Sequence, residues 1–480
     1  MKTYLLFYNG EWQQPLSGEF YEIISPTTGE PVSKAAYGNE KDAKKAVDSA
    51  AAAFKKWASL PAKERAAFLI KTAQLMRENS EDLARTISIE MGKPIKEARG
   101  EVEIAAEYLE WNGEEAKRIY GETIPASVSN KRLTVIRQPV GPVAAILPWN
   151  FPISMVTRKI GPALAAGCTV VVKPAGQTPG CAAKLVDLLK EAGIPNGVVN
   201  LVTGDSEKIA DALLYDRRIK KVTFTGSTYV GKILLRKAAG QIKRVSLELG
   251  GHAPFIVFED ADLEAAAEGV IASKFRNTGQ TCICTNRVYV QYSVMEAFLR
   301  ILKEKTEALR IGDSLDENTE ISALVNKAAI KKVQKHVYDA IEKGARLVTG
   351  GEKCTVPGFE KGNFYKPTIL ADVDERMLVA REETFGPVAP VIGFDTEEEV
   401  IEKANRTNYG LAAYFYTKDL ARAYRVSEAL EYGIVGINDP VPTTVQAPFG
   451  GMKESGLGRE GGYYGVEEFL EIKFISTGLY

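Results

Sequence analysis

Val143-Ala144-Ala145-Ile146-Leu147-Pro148-Trp149-Asn150 is a short apolar run that stops at a proline and a polar turn. Thr169–Lys173, Val198–Val202 and Lys221–Thr225 repeat the pattern. Apolar, β-branched runs of this length, bounded by Pro or Gly, read as buried strands. Between them, Ile153–Ala166, Thr178–Ala192 and Ser206–Leu214 space their apolar residues at helical intervals. Joints such as Gly193-Ile194-Pro195-Asn196-Gly197 mark the changes of period. Successive strand–helix–strand units predict an α/β fold with a parallel sheet and helices on both of its faces. Such sheets bind ligands at the carboxyl ends of their strands. Pro148-Trp149-Asn150, Lys173-Pro174 and Gly226-Ser227-Thr228 fall there.

Outward from this core, the N-terminal part predicts two long amphipathic helices, Glu40–Ser59 and Ala62–Met91. A second α/β segment begins after Gly251. It has a strand near Phe255–Phe258, a helix near Leu263–Ser273 and a strand at Arg287–Gln291. Ser127–Gln138 and Phe469–Tyr480 read as extended pieces without a core of their own. A chain of 480 residues allows roughly two to four domains.

The net charge of −1 gives no electrostatic footprint for nucleic acid or an anionic membrane, so neither is expected as a partner. The apolar run at Met1–Phe7 is too short for a secretory signal, and no stretch approaches the roughly 18 apolar residues of a membrane span. Five scattered cysteines (Cys168, Cys181, Cys282, Cys284 and Cys354) do not suggest a disulfide framework, and a reducing cytoplasm is the expected location. The two histidines, His252 and His336, are far apart, and no Cys/His cluster has zinc spacing, so no metal is expected.

Four local patterns carry chemistry. Arg276-Asn277-Thr278-Gly279-Gln280-Thr281-Cys282-Ile283-Cys284 sets a thiol behind small, flexible polar residues, with a cation six positions earlier. A thiolate is a strong nucleophile and nearby cations favour it, although a free cysteine is more commonly inert and buried. Glu248 ends an apolar strand, where a carboxylate is costly to bury unless paired; it is either a general base or one half of a salt bridge. Asn150 ends another strand with an amide able to donate to an oxyanion. Gly226-Ser227-Thr228-Tyr229-Val230-Gly231 follows a strand and opens a helix, so its amides can meet a pyrophosphate. Continued through Lys232 it approaches a Walker A loop, but Ile233 replaces the Ser or Thr that would ligate magnesium.

Taken together, Pro148-Trp149-Asn150-Phe151-Pro152, the glycine loop, Leu247-Glu248-Leu249-Gly250-Gly251, Gly279-Gln280-Thr281-Cys282, Glu383-Thr384-Phe385-Gly386-Pro387 and Pro448-Phe449-Gly450-Gly451 resemble the aldehyde dehydrogenase superfamily along essentially the whole chain. The resemblance implies a Rossmann-type coenzyme domain (residues 1–121 and 140–249) and an α/β catalytic domain (250–453). It also implies a small β oligomerisation flap (122–139 and 467–480) of a homodimer or homotetramer. It implies NAD(P)-dependent oxidation of an aldehyde: Cys282 forms a thiohemiacetal and then a thioester, with Asn150 in the oxyanion hole. Glu248 would activate the hydrolytic water, and Lys159 and Glu460 would relay the proton. Trp149, Leu249, Gly204 and the loop residues Gly226, Ser227, Thr228 and Gly231 would line the coenzyme site. Glu383 would hold the nicotinamide ribose, and Phe385 would pack near the nicotinamide.

Within the superfamily the chain is most similar to succinate-semialdehyde dehydrogenases. Arg158 and Arg276 suit a carboxylate at the far end of the aldehyde, because a planar guanidinium binds carboxylate in a fork. Thr443 stands where those enzymes often place a Ser, which leaves glutarate semialdehyde as an alternative. A non-catalytic binding protein on the same fold is the reading from another class. Lys173 and Gly176 match the adenosine-ribose region. Gly there, in place of the Glu common in NAD-preferring relatives, favours acceptance of NADP alongside NAD. Cys284 is a candidate redox partner for Cys282.

Overall fold

The computed structural model describes residues 1–480. Its first sheet has eight strands, in the order Gly456–Leu457, Arg244–Glu248, Lys221–Thr225, Val143–Ile146, Val170–Lys173, Val199–Leu201, Leu6–Tyr8 and Glu11–Gln13. The five strands from Arg244–Glu248 to Val199–Leu201 are parallel. From Val143–Ile146 the chain winds outward through Val170–Lys173 and Val199–Leu201. It then crosses back to Lys221–Thr225 on the other side. This reversal is a topological switch point, and the crevice above it lies where Pro148-Trp149-Asn150 and Gly226-Ser227 leave their strands.

The second sheet has seven strands: Arg346–Thr349, Thr368–Ala371, Val388–Phe394, Thr285–Gln291, Ala253–Val257, Ala412–Tyr416 and Ile434–Ile437. All pair in parallel except Arg346–Thr349. Leu470–Gly478 runs antiparallel to Lys131–Pro139, which also pairs with Glu122–Ile124. That small sheet leaves Ile472 and Phe474 more than half exposed, at 65% and 58%. No helix is long and apolar enough to cross a membrane.

Two helices depart from their sequence patterns. The helix expected over Ala62–Met91 is two helices, Ala62–Glu78 and Ser80–Met91. They break at Asn79, which leaves the helical region at φ −107° and ψ 18° and whose backbone N–H and side-chain amide both donate to Leu75 O, at 3.0 and 2.9 Å. The helix expected to end near Ser273 is α-helical only over Leu263–Val270, then widens into a π turn at Ile271–Phe275. Wider turns of this kind often mark functional positions. Here the turn delivers the chain to Arg276.

The helix Ser154–Ala166 is buried at every position. It packs against Ile95–Ala116 on the face of the first sheet. Arg158 and Lys159 therefore project from a buried helix, where each must find a partner.

Candidate active site

Cys282 lies on a wall shared by two cavities. One, of about 360 Å³, is lined by Trp149, Asn150, Gly226, Ser227, Glu383 and Phe385 among others. The other, of about 80 Å³, is lined by Tyr108, Arg158, Arg276, Thr443 and Phe449 among others. A larger open groove, of about 930 Å³, runs past Arg287, Tyr292 and Lys403 and does not reach Cys282. A thiol between two chambers can meet one reactant from each side.

The loop that presents Cys282 is sharply wound. Asn277, Thr278 and Gly279 all lie in the left-handed region, with φ of 53°, 55° and 74°. Only glycine adopts this conformation freely, and a β-branched Thr there is an outlier that its surroundings must hold. Thr278 Oγ1 donates to Ser322 O and accepts from Ser322 N. Gln280 Oε1 accepts from Val325 N at 2.9 Å. Gly279 has no room for a side chain, since a Cβ would sit 2.3 Å from Gly386 O. Burial pushes the Cys282 thiol up to about 12, while Arg158 pulls the other way.

Asn150 Nδ2 donates one hydrogen to Gln280 O at 3.0 Å. An amide nitrogen carries two, so one remains to donate beside the thiol. The Asn150 carbonyl accepts from Lys93 Nζ and from Asn277 Nδ2, each at 3.0 Å. Lys93 is ion-paired with Glu101, and both side chains are buried. Glu101 also accepts from Ile153 N and Ser154 N at the start of the helix Ser154–Ala166. Sequence reasoning missed this support of Lys93, Glu101 and Asn277. The available signal was a lysine wedged between Gly92 and Pro94, which a solvated lysine does not require.

Glu248 is buried at the end of its strand, and its Oε2 makes no hydrogen bond to the protein. Burial, with the nearby Glu460 carboxylate, holds it well above the ordinary carboxylate range. Glu460 is shared: Oε2 lies 3.1 Å from Arg158 Nη2, and Oε1 pairs with Lys159 Nζ. Burial alone would raise Glu460, but the two cations hold it below its usual range. Lys159 also donates to Thr223 Oγ1 at 3.2 Å. Arg158 further rests on the Phe449 ring, 3.9 Å from its centroid. The two arginines foreseen as equivalent cations thus differ. Arg158 already has a carboxylate, whereas Arg276 makes no salt bridge and lies 5.7 Å from the Phe151 ring centroid.

In the larger chamber, Ser227 caps the helix Thr228–Ala239 by accepting from Val230 N. Gly226 has its Cβ position only 2.4 Å from the Phe224 ring, and that of Gly231 falls 2.4 Å from Leu249. The strand end, the cap and the close glycines therefore bring backbone amides to the cavity. Thr225 Oγ1, also lining it, is buried and without a hydrogen bond. Thr228 Oγ1 instead donates to Glu454 O at 3.3 Å. Glu383 accepts from Gly251 N at 3.0 Å, and burial lifts its carboxyl to about 7. Phe385 meets Trp149 edge-on, with centroids 5.5 Å apart.

Five expected coenzyme residues do not line this chamber: Thr228, Gly231, Lys173, Gly176 and Gly204. Lys173 Nζ donates to Ser206 Oγ at 2.6 Å, and burial lowers its ammonium to about 8. A Cβ at Gly176 would rest against the Tyr21 ring in ordinary contact, with Oη the nearest atom at 3.7 Å. Lys173 and Gly176 lie at and beyond the end of the neighbouring strand, Val170–Lys173. Gly204 serves a close approach instead, its Cβ position lying 2.1 Å from Gly38 O. Cys284 is buried, and its Sγ lies 3.3 Å from Gly279 O and 3.6 Å from Lys274 Nζ. It lines neither chamber. A bond to Cys282 would require leaving both contacts.

The sequence model of the aldehyde dehydrogenase family matches residues 12–475. The chain belongs to the aldehyde dehydrogenase family. It is 51% identical to the NADP-dependent succinate-semialdehyde dehydrogenase of Escherichia coli over 471 residues, 98% of this chain and 97% of that one. Identity to the glutarate-semialdehyde dehydrogenase of Pseudomonas putida is 50% over 469 residues, 98% and 96% of the two chains. A crystal structure of an E. coli NADP-dependent enzyme superposes with a TM-score of 0.97 at 50% identity, covering 100% of this chain and 98% of that one. This aldehyde dehydrogenase is therefore an oxidoreductase that uses a nicotinamide coenzyme.

Proposed function

We propose that the enzyme oxidises a short aldehyde bearing a carboxylate at its far end, succinate semialdehyde foremost, to the dicarboxylate. The observation that carries this reading is Arg276: a guanidinium without a salt bridge, in a chamber of about 80 Å³ that also holds Arg158, Thr443 and Cys282. A neutral aldehyde has no use for that charge, and a carboxylate accepts its fork of hydrogens. The names of the E. coli and P. putida relatives support a four- or five-carbon semialdehyde. Glutarate semialdehyde is the second reading, favoured by the P. putida relative.

Cys282 Sγ is the nucleophile, carrying the aldehyde carbon first as a thiohemiacetal and then as a thioester. The free hydrogen of Asn150 Nδ2 and the Cys282 backbone amide hold the oxygen as it becomes anionic. Glu248 takes the proton of the water that cleaves the thioester. Glu460 and Lys159 pass that proton onward, since their side chains are in contact.

The larger chamber fits a nicotinamide coenzyme. Its capped helix end and side-chain-free glycines suit a pyrophosphate, and the unpartnered Thr225 hydroxyl offers a further polar contact. When bound, the nicotinamide supplies a hydride acceptor. Glu383 would bind its ribose, and Phe385 and Trp149 would flank the ring. Gly176 leaves space and no negative charge beside Lys173, which favours NADP alongside NAD. The exposed Ile472 and Phe474 of the small sheet support burial against a second copy, as in a homodimer or homotetramer.

The test is a panel of succinate semialdehyde, glutarate semialdehyde and butanal with each coenzyme, followed by absorbance of the reduced coenzyme. The highest kcat/KM is expected with succinate semialdehyde. A preference for butanal would overturn the reading.

A further inference from the structure

Glu383, Thr384 and Phe385 form part of the wall of the larger chamber, on a segment that is held in an unfavourable conformation. Phe385 lies in the left-handed region at φ 56°. A bulky residue keeps that conformation only where its surroundings over-determine it. The helix Lys327–Glu342 provides the restraint. Lys332 Nζ donates to Glu383 O at 2.5 Å. Val333 packs so closely on Gly386 that a Cβ there would lie 2.4 Å from Val333 Cγ2. One turn further along, His336 is buried and reaches both neighbours of Glu383. Its Nδ1 lies 3.2 Å from Thr384 Oγ1, and its Nε2 lies 3.3 Å from Glu382 Oε2.

We infer that His336 is a positioning residue for the nicotinamide half of the coenzyme, bracing Glu382 and Thr384 so that Glu383 and Phe385 are presented to the large chamber. The inference rests on the reading of Glu383 and Phe385 as nicotinamide-side residues. Burial, with Lys332 nearby, lowers the imidazolium to about 4 against the pull of Glu382, so the ring is neutral at physiological pH. A neutral ring has one donor and one acceptor. Nε2–H donates to the Glu382 carboxylate, and Nδ1 accepts the Thr384 hydroxyl hydrogen. Both nitrogens are thereby satisfied, and neither contacts a reacting atom. Lys332 and Val333 hold the backbone of residues 383 and 386, whereas His336 fixes the side chains on either side of Glu383. Glu383 is then free to use its own carboxylate on Gly251 N and on a ribose.

The test compares binding of the intact coenzyme, NADP⁺, with that of its adenosine half, adenosine 2′,5′-bisphosphate, which lacks the nicotinamide ribose, by calorimetry on the full-length protein. In His336→Leu the affinity for NADP⁺ is expected to fall by about fivefold or more, with the adenosine half bound within about twofold of wild type. Tenfold corresponds to about 1.4 kcal/mol, the size of one or two hydrogen bonds. His336→Asn keeps a polar atom where Nδ1 stands and is expected to recover part of the loss. Thr384→Val, which removes one bond and leaves the imidazole in place, is expected to show the same selective loss to a smaller degree and covers the case in which His336→Leu does not fold. Equal losses for both ligands, or none for either, would overturn the brace. Failure of wild type to bind NADP⁺ and NAD⁺ would instead overturn the coenzyme reading beneath it.

Discussion

Arg158 Nη2 stands 3.1 Å from Glu460 Oε2, so one of the two arginines beside Cys282 is already engaged with a buried carboxylate. Arg276 has no such partner. The two should therefore fail differently. Arg276→Ala is expected to raise KM for succinate semialdehyde by about tenfold to a hundredfold, the range of a charge-assisted hydrogen bond, with little change for butanal. Arg158→Ala leaves Glu460 short of a cation in the interior, so kcat should fall for both aldehydes. Equal KM effects on the charged and neutral substrates in Arg276→Ala would rule out its role as carboxylate anchor.

As the proposed general base, Glu248 would give the reaction its pH dependence. A general base works only when unprotonated, and burial with the Glu460 charge raises the pH at which Glu248 loses its proton. The rate of thioester hydrolysis is accordingly expected to climb with pH in a range above that of an ordinary carboxylate. Glu460→Gln removes the like charge and releases Arg158 and Lys159 to act on Glu248, and all of these changes lower its pKa. The rising limb should move to lower pH. A stopped-flow pH series on both proteins measures it, and a limb that stays put or moves upward would refute the coupling.

The parallel sheet was legible because buried parallel strands are continuous apolar runs. Val143–Ile146 has no polar residue, and Val170–Lys173 has one only at its last position. The nucleophile loop was legible for a similar reason, being a polar run with no helical or strand period. What stayed hidden were side chains joined only by tertiary structure. Lys93 lies 57 positions from the Asn150 carbonyl it supports, and Lys159 lies 301 from Glu460, so no local pattern connects them. The break at Asn79 was hidden because the apolar spacing continues on both sides of it.

The proposed acceptance of NADP can be tested at Gly176. A Cβ at Gly176 would meet the Tyr21 ring at an ordinary contact distance, 3.7 Å from Oη, so a side chain there does not clash at its first atom. Gly176→Glu would bring a carboxylate to the adenosine-ribose region, where it can accept from ribose hydroxyls and repels a 2′-phosphate. The ratio of kcat/KM for NADP to that for NAD is expected to fall by roughly tenfold or more, since opposed like charges cost several kcal/mol when desolvated. Steady-state kinetics with both coenzymes provide the measurement. An unchanged ratio would remove Gly176 from the determinants of specificity.

The two thiols of the active-site loop should be chemically distinct. Cys282 faces both chambers, while Cys284 is 1% exposed and turned toward Gly279 O and Lys274. Iodoacetamide should therefore alkylate Cys282 first, as read by peptide mass spectrometry. With the Cys282 thiol pushed up to about 12, its labelling rate should rise by roughly tenfold per pH unit between about pH 8 and about pH 10. A flat pH profile would mean that a cation holds the thiolate more firmly than burial opposes it. The same pair decides the redox question. If Cys284 can leave its pocket to bond Cys282, peroxide inactivation of wild type will be reversed by dithiothreitol, and that of Cys284→Ala will not, because the Cys282 sulfenic acid then oxidises onward without a resolving thiol. Identical recovery in the two proteins would show that Cys284 is only a packed neighbour of Lys274.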